Sequence, residues 1–240
     1  MYSFTNDYSE LCHPNILKRL VYENENQFSG YSEDEISESV RNRLKELLKN
    51  DDLAIHFLTG GTQTNLITIL NCLKLHQGVI SANTGHIATH ESGAIEATGH
   101  KILTIDSKDG KIYPDEVRKI MIDFESDETY EHVVEPGMIY ISLPTEVGTI
   151  YSKKELNDLH EVAKEYNIPF FIDGARLASA LTSKNNDIKF DELASLCDMF
   201  YIGGTKCGAL LGECLVIVND SYKRHFRPLM KQRGALLAKG

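Results

Sequence analysis

The chain has 240 residues, 42% of them hydrophobic, enough to bury a sizeable core as one large α/β domain or a domain with an appendage. Its formal net charge of -10 excludes a nucleic-acid or anionic-membrane surface as the main partner, while leaving room for a small anion held by a few local groups. No basic start followed by an apolar run opens the chain and no apolar stretch approaches the length of a bilayer span, so a soluble, cytoplasmic protein is expected; the five cysteines, an odd number with no C-x-x-C pair, suggest neither a disulfide framework nor a zinc or other metal site.

After an N-terminal segment over residues 1–30, residues 34–49 are expected to form a helix. Ile36, Val40, Leu44, Leu47 and Leu48 share one face, with acidic residues at its start and basic ones towards its end. The run LAIHFLTGG, 53–61, reads as a buried strand ending at glycines. TQTNLITILNCLKLHQG, 62–78, reads as a helix that opens with threonines and closes before Gly78. Further strands are predicted over 78–83, 100–106, 138–143, 168–172 and 198–202. Between them, Val117, Ile120, Met121 and Phe124 line one helical face, as do Leu156, Leu159, Val162 and Tyr166. Residues 124–137 read as a surface excursion, and 221–240 as a helix without a settled cap. Strands alternating with helices predict a mainly parallel sheet covered on both faces, with ligands at the carboxyl ends of its strands.

Three strand ends carry candidate chemistry. Thr59-Gly-Gly-Thr-Gln-Thr-Asn65 joins a strand to a helix: glycines let a backbone approach a ligand and free N–H groups at a helix start favour phosphate, although a threonine-capped turn has the same composition. Asp173, at the end of the run IPFFID, is either a helix N-cap or a carboxylate kept ionised by a cation, and Arg176 can serve it or a ligand carboxylate. Lys206, in YIGGTKCGAL, follows a strand at a glycine turn where an ordinary exposed lysine also fits. Cys207 beside it reads as a reactive thiol or a small packing residue. An anion site, a carboxylate and an amine together are what pyridoxal 5'-phosphate requires: a phosphate cradle, a group to hold the proton on the pyridine nitrogen, and a Schiff-base lysine.

On these motifs the chain resembles the low-specificity L-threonine aldolase and β-eliminating lyase group of fold-type I pyridoxal-phosphate enzymes. Gly60-Gly-Thr-Gln-Thr-Asn65 looks like the family's S-G-T-x-x-N phosphate loop, His86-Ile-Ala-Thr-His-Glu-Ser-Gly93 its H-I-x-x-x-E-x-G segment, and Thr205-Lys206 its Ser-Lys step; Asp173-Gly-Ala-Arg176 matches D-G-A-R without change. The resemblance implies an aspartate aminotransferase-like large domain over 31–225 with a mainly parallel seven-stranded sheet between helices. Residues 226–240 would begin a connecting helix towards a C-terminal small domain that the chain does not contain.

The resemblance also implies roles. Gly61, Thr62 and Thr205 would hold the phosphate, His86 would stack on the ring and help move protons, Asp173 would face the ring nitrogen, and Lys206 would form the Schiff base. Arg176 would take the substrate carboxylate, with Asn6 in place of the family's N-terminal serine. His90 reads as a surface histidine and Glu91 as an acceptor behind His86. The implied reaction is cleavage of L-threonine or L-allo-threonine to glycine and an aldehyde by a homodimer or homotetramer with its site at the dimer interface. Other β-eliminating lyases, aminotransferases and a non-catalytic cofactor-binding fragment use the same constellation. The family's second carboxylate-binding arginine lies in the segment expected to be missing, which implies a weakened clamp on substrate.

Overall fold

The computed structural model describes residues 3–239. Its elements run α1 Pro14–Glu23, α2 Glu35–Leu47, β1 Ala54–Leu58, α3 Gly61–Cys72, β2 Gln77–Ala82, α4 His86–Thr89, β3 Ile102–Ile105, α5 Pro114–Glu125, β4 Glu135–Ser142, α6 Lys153–Glu165, β5 Phe170–Asp173, α7 Leu177–Leu181, β6 Met199–Gly203, β7 Glu213–Ile217 and α8 Phe226–Gln232, with short 3₁₀ turns between. The strands form one seven-stranded sheet in the order β1-β7-β6-β5-β4-β2-β3. Pairs from β6 across to β3 are parallel; β7 is antiparallel to both β6 and β1. Apolar clusters cover both faces, one built with α2, α5 and α6, the other with α3 and α8. The mixed α/β, mainly parallel architecture read from the sequence is therefore present.

β7 is the strand that the apolar-run reading missed, although Glu213–Ile217 is bounded by Gly212 and rich in Leu, Val and Ile. Its reversed direction follows from chain length. Residues 204–212 are too few to carry a crossover helix, so the chain can only turn back on itself. Gly204 and Thr205 both donate their N–H to the Gly212 carbonyl, closing that turn at 3.0 and 3.1 Å.

Three other expectations change. α3 stops at Cys72, because Leu73 takes an extended backbone to pack in the core and Gln77 Oε1 caps the following turn through the Lys74 N–H. Its N-cap is Gly60, with no side-chain cap, rather than a threonine: Thr59 hydroxyl bonds Gln63 instead. The C-terminal helix is capped after all. Gly234 has φ +72°, its N–H reaches the Lys231 carbonyl, and the Ala235 N–H reaches that of Met230, a Schellman closure that tucks Ala235 into the core. The α2 stripe is only half covered: Leu48 is buried, whereas Ile36 and Val40 remain 41% exposed. No helix among the described residues is long and apolar enough to cross a membrane.

One buried group makes the fold acid-sensitive. His56 on β1 packs against the Phe226 ring, its Nε2 has no hydrogen-bond partner among the described residues, and burial, reinforced by Arg227 and Arg41, lowers its pKa to about 4. The unfolded chain binds this proton near pH 6.5 and the folded one does not, so stability falls as pH falls from about 6.5 to 4, by about 3 kcal/mol for this group. Urea unfolding across that range should show a shallower loss in His56→Leu than in the parent chain.

Candidate active site

Strand direction brings the candidate residues to one edge. β1, β2, β4, β5 and β6 all point their carboxyl ends there, and the reversed β7 begins there. A cleft opens at that edge, lined by Gly61, Thr62, His86, Asp173, Arg176 and Lys206 among others. Thr205 also lines it; Asn6 does not.

Asp173 ends β5 with its carboxylate buried. It is not a helix N-cap, since α7 starts after Arg176. Oδ1 accepts the Ala175 N–H at 3.0 Å, and Oδ2 accepts the Tyr140 hydroxyl at 2.6 Å and the Asn65 amide at 3.0 Å. These donors are neutral. Burial, with the Asp173 charge adding, drives the Tyr140 and Tyr201 hydroxyls far above their ordinary range, so both stay protonated at neutral pH, and Tyr140 serves the carboxylate only as a donor. Gly174 is demanded by packing: a Cβ there would lie 1.9 Å from the Tyr201 carbonyl oxygen.

His86 begins α4 after Gly85, whose own close approach to Ser81 leaves no room for a side chain. Glu146 receives the His86 N–H at 2.8 Å and the Ser142 hydroxyl at 2.5 Å, tying this turn to the end of β4. The His86 ring is half-buried, with Nδ1 2.8 Å from Oε1 of the fully buried Glu91 side chain. That hydrogen bond raises the His86 pKa against the opposing effect of burial. Asn65 donates to Glu91 at 2.8 Å as well as to Asp173, so one amide spans the two carboxylates. His90 is exposed and stacks on His86 at 5.7 Å.

Three candidates have partners that the sequence did not announce. Arg176 donates through Nε and Nη2 to the carboxylate of Asp7, holding it below the usual carboxylate range; Asp173 has no part in that pair. Asn6 instead caps its own segment, accepting from the Tyr8 N–H and the Ser9 hydroxyl. Thr205 accepts the Gly212 N–H at 3.0 Å, so its hydroxyl oxygen is engaged within the Lys206 turn. Lys206 makes no ion pair among the described residues; its Nζ lies 5.8 Å from the Tyr8 ring centroid.

The sequence profile described as Beta-eliminating lyase matches residues 19–240, nearly the whole chain. The chain belongs to the β-eliminating lyase family. Among curated relatives in this family, a low specificity L-threonine aldolase of Pseudomonas sp. is 27% identical over 237 residues, covering 98% of this chain and 67% of its own length. The solved Leishmania major threonine aldolase is 48% identical with a TM-score of 0.96, over 100% of this chain and 69% of that one. Thermus thermophilus aspartate aminotransferase, 13% identical, superposes with a TM-score of 0.70 over 93% of this chain and 57% of its own, which establishes the aminotransferase-like, fold-type I architecture. The chain thus spans about two thirds of the length of these two threonine aldolases.

Tyr140, Asn65, Glu146, Glu213 and Asp7 are the cleft residues, or their direct supports, that the sequence reading did not single out. Asn65 stands inside a quoted motif, so its position was visible and its partners were not. A variant tests the histidine pair. Glu91→Gln should lower the His86 pKa towards its ordinary value, read by NMR titration of its ring. Because the wild-type value is raised, the pair contributes fully below about pH 6.5 and is lost as pH rises through the His86 pKa; that slope should shrink in the variant.

Proposed function

We propose that this chain cleaves β-hydroxy-α-amino acids of the L-threonine type to glycine and an aldehyde, using pyridoxal 5'-phosphate. The observation that carries the reading is one cleft holding both a buried carboxylate, Asp173, and an amine, Lys206, neither with an ionic partner among the described residues. The names of the relatives, threonine aldolases at 27% and 48% identity, support the same reaction.

The donor set suits the cofactor. α3 starts at Gly61 after Gly60, its N-cap, with no side-chain cap, and the first hydrogen bond of the helix is Thr64 N–H to the Gly60 carbonyl; the amides of Gly61, Thr62 and Gln63 have no acceptor among the described residues. Such amides, at the positive end of a three-turn helix, suit a phosphate. A Cβ on Gly61 would sit 3.1 Å from the Tyr201 hydroxyl, so a larger residue would crowd this cradle. Asp173, satisfied only by neutral donors, retains the charge to favour a protonated pyridine nitrogen.

Bound there, the cofactor supplies an electron sink for the pair released when the Cα–Cβ bond breaks. Lys206 holds it through its amine, the start of α3 binds its phosphate, and Asp173 keeps the proton on its ring nitrogen. His86, when neutral, has Nδ1–H committed to Glu91 and Nε2 free to take the proton of the substrate β-hydroxyl, directly or through a water. Glu91 and Asn65 orient that imidazole. Arg176 receives the substrate carboxylate, which must share or displace the Asp7 carboxylate already on the guanidinium. Asn6, facing its own segment, would have to rotate to reach the same carboxylate.

Incubation with L-threonine and the cofactor should release glycine and acetaldehyde in equal amounts with no requirement for a 2-oxo acid. Amine transfer to an added 2-oxo acid would move the reading to transamination. Borohydride reduction of the loaded protein followed by peptide mapping should label Lys206, and a label on another lysine would remove it from this role. Asp173→Asn keeps the side-chain shape and deletes the charge, and it should lower kcat by on the order of 10²-fold or more while changing cofactor affinity less.

A further inference from the structure

Glu213 stands at the joint between the two halves of the cleft. As the first residue of β7 it pairs in register with Leu58, the last residue of β1, and with Gly203, the last of β6. Thr59–Thr62 follow the first of these, and the Lys206 turn follows the second. The residue is only 7% exposed, yet it lines the same cleft as Gly60, Gly61 and Thr62. Its Oε2 accepts the Gly204 N–H at 3.1 Å, and the nearby Thr205 hydroxyl, whose oxygen accepts the Gly212 N–H, favours its ionised form. Glu213 makes no ion pair among the described residues. It is a buried acid held by the backbone of the turn that carries Lys206, beside the uncapped start of α3.

We propose that Glu213 is a proton-accepting positioning residue: when a phosphoryl group seats at the N-terminus of α3, Glu213 takes one proton from solvent, and the neutral acid keeps the Lys206 turn bonded next to the anion. The inference rests on the cofactor reading above. Two negative groups cannot share a desolvated corner without cost, and protonating the carboxylate removes the repulsion while leaving one carboxyl oxygen as acceptor for the turn.

The surroundings allow that change. The titratable groups whose charge couples to Glu213 are Asp173 on β5, Tyr201 on β6, and Lys206 and Cys207 in the turn; Thr59–Thr62 at the end of β1 and the start of α3 carry no titratable group. Burial, with Asp173 adding and Lys206 opposing, already pushes the acid up to about 7. A dianion alongside pushes it higher.

Pyridoxamine 5'-phosphate is the probe, because it carries the phosphate and ring but has no aldehyde to react with Lys206. Its binding, followed by calorimetry in buffers of different ionisation enthalpy, counts the protons taken up. Subtracting the count for Glu213→Gln removes any contribution from the probe's own ring and phosphate. The difference should be about 0.9 proton at about pH 8, where the free acid is mostly ionised, and should vanish near about pH 5.5, where it is already protonated. Glu213→Asp should restore part of the uptake at about pH 8, which a purely steric role would not. Equal uptake by parent and Glu213→Gln with binding intact overturns the proposal and leaves the cofactor reading standing. Should Glu213→Gln not fold, the parent chain alone decides: a proton count that does not fall between about pH 8 and pH 5.5 overturns it. Absence of binding to the parent chain overturns both.

Discussion

A carboxylate taken out of water costs several kcal/mol unless its oxygens are satisfied, and Asp173 is satisfied without any cation beside it. Tyr140 comes from the neighbouring strand β4, Asn65 from the second turn of α3, and the Ala175 amide from the chain just beyond β5. Meeting those three donors requires β4 and β5 to lie side by side in register, which they do with Ser142 opposite Asp173, and requires α3 to lie across the sheet behind them. The same geometry aims the free N-terminus of α3 at the cleft, and Asn65 extends it to Glu91 and so to the His86 ring. Displacing any of these supports would leave a buried charge partly bare, a larger penalty than the mean value of one hydrogen bond.

The Lys206 turn is organised by a second constraint, the closeness of two backbones. A Cβ on Gly203 would lie 2.1 Å from the Ala175 carbonyl oxygen, just as one on Gly174 would meet Tyr201, so the ends of β5 and β6 touch main chain to main chain. Glycine is the only residue that permits it. This contact brings Asp173 and Lys206 to one cleft although they sit on different strands. The antiparallel return of β7 then adds Glu213 to the same corner.

The N-terminal segment supplies a third layer. Asp7 reaches Arg176 across 169 residues of sequence, and Tyr8 lies over Lys206, so residues far from the sheet in sequence meet two of the side chains that line the cleft. Both members of the Asp7–Arg176 pair are partly exposed, which makes the contact an exchangeable one. A ligand carboxylate meeting Arg176 therefore competes with a group already shaped like itself.

Much of this was legible locally. Short apolar runs ended by glycine, aspartate or lysine mark buried strands and their carboxyl ends, because strand burial and turn chemistry are set within a few residues. Gly61, Thr62, His86, Asp173, Arg176, Thr205 and Lys206 were all found that way or by the motifs around them. Asn6, found by motif alone, lies outside the cleft and bonds within its own segment. The sequence by itself determined the alternation of strands and helices and which chemical groups stand at the strand ends. Only the tertiary structure decided that Arg176 meets Asp7 rather than Asp173, that Tyr140 and Asn65 hold Asp173, and that Glu213 is buried beside the Lys206 turn. Those pairings depend on the sheet order β1-β7-β6-β5-β4-β2-β3, in which β7 inserts between β1 and β6 and β2 lies beside β4, and a buried polar group takes its partner from whichever strand or helix the completed sheet sets against it.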